Sequence, residues 1–179
     1  SEEEEVRRLE EELKKLHDDI KRRLEELLRE NEKILRDIDR EIKKLLEELR
    51  KTIDKADKDG VLSEELKKEL EKLLKDIEDT LKRLKDESKE DRERLEKELR
   101  ELSKRSREED EKRRKATKDG DRDKDELRKI VEELKRDHEK DLRKVEKLSE
   151  EHKEKLRRAL EELKRLAEEV KKRLDDERR

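Results

Sequence analysis

The chain contains no cysteine, proline, methionine or aromatic residue, and only two glycines in 179 positions. Each absence closes a class of function. Without cysteine there is no disulfide framework, no thiol nucleophile and no Cys-ligated zinc. Without aromatic rings there is no stacking platform for single-stranded nucleic acid and no cage for a quaternary ammonium. Two glycines cannot supply a glycine-rich phosphate loop. No signal peptide is visible, and no apolar run approaches the ~18 residues of a membrane span. The sequence carries no motif of a natural biochemical activity.

What the chain does have is charge. Asp, Glu, Lys and Arg make up 66% of it, with 58 basic against 61 acidic residues and a net charge of −3. The two signs are interspersed. The longest basic cluster, Lys112-Arg113-Arg114-Lys115, directly follows Glu108-Glu109-Asp110-Glu111. It is neutralised locally, and no basic stripe for nucleic acid forms. High charge with 25% hydrophobic residues is the composition of a disordered chain. Here, however, the remaining residues are strong helix formers, no proline interrupts them, and the apolar positions keep a helical period. Folded helix is the better reading.

The two glycines, Gly60 and Gly120, cut the chain into nearly equal thirds. Gly60 suits the left-handed residue that ends a helix, and Ser63 suits an N-cap followed by two acids. Asp123 with Glu126 has the spacing of a capping box. The Asp-rich stretches beside both glycines invite an EF-hand reading, which fails on register. Gly60 at loop position six puts Leu66 where a bidentate Glu is needed, and the second stretch has Lys124 where the loop requires Gly. Helices are predicted over about 2–58, 63–117 and 122–177 of a single domain spanning 1–179. Each is about 80 Å long at about 1.5 Å per residue. Short loops make neighbours antiparallel, so the predicted fold is an all-α, antiparallel up-down-up three-helix bundle. The first seam repeats from Val6 to Leu24 to Ile42, and the third from Leu127 to Val145 to Leu163. That 18-residue repeat over five turns matches the undistorted period of about 3.6, which predicts nearly straight helices.

The informative residues break the apolar pattern. Asn31 and His17 lie in the first apolar arc, Ser88 and Ser106 in the second with Ser103 just beyond its edge, and His138 and His152 in the third. If the chain turns back at each glycine, Asn31 faces Ser88 and Ser88 faces His152, while His17 faces Ser103 and Ser103 faces His138. Both sets fall into shared layers, with the same offset of 121 between their first and third members. Two buried hydrogen-bonded networks, Asn31–Ser88–His152 and His17–Ser103–His138, are therefore expected, because an isolated buried polar group costs about 1–3 kcal/mol. A metal needs three or four ligands at about 2.0–2.2 Å. His17 and His138 supply two, but Ser103 is a poor third and no carboxylate is clearly central, so no metal or cofactor site is expected. Serine–histidine catalysis lacks a placed acidic third member and a cleft, so no enzyme is expected.

Equal thirds, Asp-Gly loops, the 18-residue repeat, Leu/Ile seams, Glu/Lys/Arg surfaces and the two matched polar layers together resemble the class of de novo designed helical bundles with buried hydrogen-bond networks, built on parametric backbones. The resemblance covers the whole chain and implies networks that confer pairing specificity. Inward histidines in that class are sometimes used to make a bundle pH-responsive. The core is thinner than the class implies. After Leu102 the inward positions of the second helix are Ser103, Ser106, Glu109, Asp110, Arg113 and Thr117, with Ala116 the one apolar residue. The facing segments stay apolar, which makes Val6–Leu16, Ser103–Ala116 and Leu127–Leu134 the candidate place for a partner helix or a second copy. Otherwise no partner, nucleic acid or membrane is required. The chain is expected to be a scaffold without natural location, soluble and cytoplasmic in an expression host.

Overall fold

In a computed structural model of the chain, the described residues are 2–118 and 124–177, of which 2, 3, 113, 115–118 and 124–127 are described by their backbone alone. The expectations for Gly120, for Asp123 as a cap and for the side chains of Arg113, Ala116, Thr117, Glu126 and Leu127 lie outside the described residues. Three helices, α1 (Glu2–Lys58), α2 (Glu64–Lys118) and α3 (Lys124–Glu177), pack against each other as an all-α bundle.

The first connection follows from its residues. Gly60 takes φ +71°, a left-handed conformation that costs other residues energy and glycine little. The Val61 amide donates to the Ala56 carbonyl and the Gly60 amide to the Asp57 carbonyl, both at 3.1 Å. This is the Schellman pattern, which satisfies carbonyls that the helix end would otherwise leave unpaired. Across the turn the Ser63 hydroxyl accepts from the Leu66 amide at 3.1 Å, capping α2, whose first turn carries Glu64 and Glu65 against the positive end of the helix dipole.

Each helix contributes one segment to each of two compact units. The first comprises the described residues of Ser1–Glu30 and Arg92–Glu150, the second those of Asn31–Asp91 and Glu151–Arg179. Within the first, Arg23 bonds Glu146, Arg128 bonds Glu5 and Lys135 bonds Glu12, each pair 123 residues apart, so α1 and α3 run parallel. Glu98 pairs with Lys144 and Arg105 with Asp141, so one number rises as the other falls and α2 runs antiparallel to α3. Within the second unit, Asp39–Lys85, Arg50–Glu78 and Asp57–Lys67 pair α1 antiparallel to α2, and Glu41–Lys164 keeps α1 parallel to α3.

The units differ in their apolar supply. In the second, Ile38, Ile42, Leu49 and Ile53 of α1 meet Leu70, Ile77 and Leu84 of α2 and Leu156, Leu163 and Val170 of α3 in one extensive core. The first unit's cluster is smaller: Ile20, Leu24 and Leu27, Leu95 and Leu102, and Val145. Leu13 and Val131 are both 0% exposed, and no large hydrophobic side chain among the described residues is exposed. No described helix is long and apolar enough to cross a membrane.

Candidate functional site: buried histidines and their acidic partners

All three histidines of the chain are buried: His17 is 9% exposed, His138 1% and His152 5%. In the first unit, the α1 ring of His17 and the α3 ring of His138 stand edge to face, with centroids 4.0 Å apart and their Nε2 atoms in direct contact. The two residues are 121 apart, the offset read from the sequence. From α2, Ser106 Oγ forms a hydrogen bond with His17 Nδ1 at 2.9 Å. One helical turn further along α2, Glu109 brings its Oε2 to 3.3 Å from His17 Nε2 and 3.4 Å from His138 Nε2. That oxygen is shielded from solvent, and its approach to the two rings lacks the alignment of an ordinary hydrogen bond. The His138 Nδ1 atom is also shielded and finds no hydrogen-bond partner among the described residues.

The electrostatics follow from this geometry. Burial opposes ionisation of Glu109, but the close approach of the His138 and His17 rings and their attraction for its charge overcome that penalty and hold its carboxyl down at about 2. The carboxylate thus presents one negative charge to both imidazole rings at once. The two Nε2 atoms and a Glu109 carboxylate oxygen lie within 4.8 Å of one another, so one small ion or one shared proton can be served by all three.

In the second unit, His152 Nδ1 and Asp91 Oδ2 form a hydrogen bond at 2.8 Å, and Lys155 Nζ lies 3.6 Å from the same oxygen. Burial lowers the pKa of His152, Asp91 raises it through its charge and hydrogen bond, and Lys155 lowers it; the net direction is down. Asn31 and Ser88 are buried in this unit as well, at 5% and 4% exposure. The Ser88 hydroxyl makes no hydrogen bond among the described residues.

The structure therefore gathers His17 with His138, and buries Asn31, Ser88 and His152 within one unit, yet the α2 partners differ from the expected ones. Ser106 meets His17 where Ser103 was expected, and Asp91 meets His152 where Ser88 was expected. Ser103 is half-buried in the wall of a cleft that it shares with His17. Both partners lie three residues further along α2 than expected, and one cause serves for both. Each glycine was taken as the centre of its turn. Helix ends at Lys58 and Glu64, and at Lys118 and Lys124, put each centre one residue later. That shifts antiparallel pairing by two positions, and the lean of side chains toward the start of their own helix supplies the rest.

Three inward residues were missed or undervalued. Asp91 follows Leu84 and Ser88 and precedes Leu95 at seam spacing, and Glu109 follows Leu102 and Ser106 in the same way. Their spacing was a sufficient signal: Glu109 was placed among the inward positions but not joined to the histidine layer, and Asp91 was passed over in so charged a chain. Ser149, 0% exposed, sits between Val145 and His152 on the α3 seam and was overlooked for its small size. Glu109 also supplies the carboxylate whose apparent absence had set metal ligation aside. Compared with known protein families, curated proteins and solved structures, the chain matches none.

Proposed function

We propose that the chain is a designed structural scaffold without enzymatic activity, in which buried histidine–carboxylate clusters specify how three otherwise similar helices pair. The observation that carries this reading is the cluster His17–Ser106–Glu109–His138, which draws on all three helices and places its polar atoms in the core. A seam of Leu and Ile tolerates sliding by a heptad or a turn. A buried polar cluster does not, because any slip leaves imidazole and carboxylate without partners at about 1–3 kcal/mol per group. Equal thirds, Asp-Gly connections and an 18-residue repeat support a designed origin.

The self-contained form of this reading has further support in the full burial of Leu13 and Val131 and in Ser106 and Glu109, which meet His17 and His138 on the α2 face beyond Leu102. A partner helix or second copy at Val6–Leu16, Ser103–Ala116 and Leu127–Leu134 has less to hold. The test compares the parent with the triple variant His17→Leu, Glu109→Leu, His138→Leu. Replacing a buried polar group set with apolar residues of similar volume often leaves stability equal or higher. The variant is expected to stay helical while losing uniqueness, showing mixed masses by sedimentation where the parent runs at 22.1 kDa. A parent of higher mass, or a variant as monodisperse as the parent, overturns the reading.

A second reading, a pH-responsive bundle, is favoured by His152. The charged groups acting on it are Asp91 from α2 and Lys155 from α3, while α1 presents the uncharged Asn31 at the same offset of 121. Its folded pKa lies below the ordinary value, so the unfolded chain takes up the proton first as pH falls. Stability is then fully present above about pH 6.5 and declines below it.

A further inference from the structure

The His17–Glu109–His138 cluster has a donor set that a scaffold role alone does not use. We propose that His17 Nε2, His138 Nε2 and one Glu109 carboxylate oxygen form a binding site for a divalent transition metal ion of the zinc type, with water as its fourth ligand. Three geometric observations point to this.

The first is donor spacing. Ligands about 2.0–2.2 Å from a tetrahedral zinc stand about 3.3–3.6 Å from one another. Glu109 Oε2 lies 3.3 Å from His17 Nε2 and 3.4 Å from His138 Nε2, two edges of that tetrahedron. The third edge, between the two Nε2 atoms now in contact, would have to lengthen to the same value on metal binding, by rotation of one ring or both. Two imidazoles and a carboxylate are also the mixed nitrogen and oxygen set that zinc-class ions prefer over calcium or magnesium.

The second is the state of the donor atoms. Glu109 Oε2 is sealed from solvent and points at both rings without a well-aligned hydrogen bond, and a buried carboxylate oxygen in that condition is what a cation would satisfy. His17 is already oriented as a ligand. Its Nδ1 is engaged by Ser106 Oγ, so with Nδ1–H donating to the hydroxyl, the Nε2 lone pair faces the other two donors.

The third is access. A cleft of about 430 Å³ runs beside His17 and Ser106. Glu10, Asp18 and Asp110 line it alongside Lys14 and Arg114, so an ion can approach the His17 ring from solvent, although Glu109 and His138 are not part of the cleft wall. The helices supply one ligand each, so binding ties α1, α2 and α3 together at a single point and stabilises the folded chain by mass action.

The full chain is titrated with zinc alone by calorimetry and with cobalt(II) alone by visible absorption. The expected result is saturable one-to-one binding, intense four-coordinate cobalt bands that zinc displaces, and a melting temperature that rises with zinc concentration. Glu109→Gln preserves shape and is expected to remove the cobalt bands. His17→Ala and His138→Ala are expected to weaken zinc by more than the about 10–100-fold that loss of an outer partner such as Ser106 costs. Absence of saturable binding by the folded parent overturns the proposal, as does binding that survives His17→Ala unchanged, since the surface carboxylates would then be the ligands. Neither outcome touches the scaffold reading, which stands on solution mass and the apolar triple variant.

Discussion

Asp91 and Glu109 do what no serine in their helix can do: each presents a negative charge to a buried ring. Their effects on stability share a sign. Glu109 is held at about 2, below the ordinary carboxylate value, so its contribution is present above about pH 4.3 and is lost as pH falls toward 2. His152 is lowered by burial, so its contribution is lost as pH falls below about 6.5. Stability should therefore decline in two stages on acidification, the first in the histidine range and the second in the carboxylate range. Urea unfolding between pH 8 and pH 3 checks this, and a midpoint that rises on acidification would contradict it. At the same residue, Asp91→Asn removes the charge that props up the His152 pKa. The His152 ring protons, followed by NMR, should then titrate at lower pH than in the parent; an unchanged or higher midpoint would mean that Asp91 does not govern this ring.

At the scale of the helices, the cost of a thin core is local. The α2 segment from Leu66 to Leu84 buries a leucine or isoleucine at nearly every inward turn, whereas beyond Leu102 the inward positions are the half-buried Ser103, Ser106, Glu109 and Asp110. Opening free energies follow buried apolar contact, so amides of residues 103–112 should exchange with solvent well before those of 66–84. Truncating Leu70, which is 0% exposed, should cost about 2–5 kcal/mol of global stability. Equal protection along α2 would show that the histidine–carboxylate cluster compensates fully for the missing leucines. Helix identity and the Gly60 turn were legible in the sequence, because caps and a 3.6-residue period are local properties of adjacent residues. The pairing partners in α2 were less so. Ser106 and Asp91 displaced Ser103 and Ser88 because a turn of five residues, Asp59–Ser63, is not centred on its glycine. A one-residue error in a turn's centre is doubled in antiparallel pairing.

For the whole molecule, the 66% of charged residues form the solvated backs of seams made by the 25% that are hydrophobic. Cross-helix ion pairs such as Arg173–Glu69 and Lys164–Glu41 are well exposed and contribute about 0–1 kcal/mol each, with salt weakening them further. They cannot choose among helix registers, since nearly every surface position carries a charge that would find some partner after a slip. The choice falls to the few inward polar side chains. The composition offers a direct way to see them: with no Phe, Tyr or Trp, the carbon-bound ring protons of three histidines are the chain's only aromatic signals. In a proton NOE spectrum of the intact chain near neutral pH, cross-peaks are expected between the rings of His17 and His138, assigned with His17→Asn and His138→Asn. Narrow, solvent-like histidine resonances with no cross-peak between these two rings would contradict their pairing.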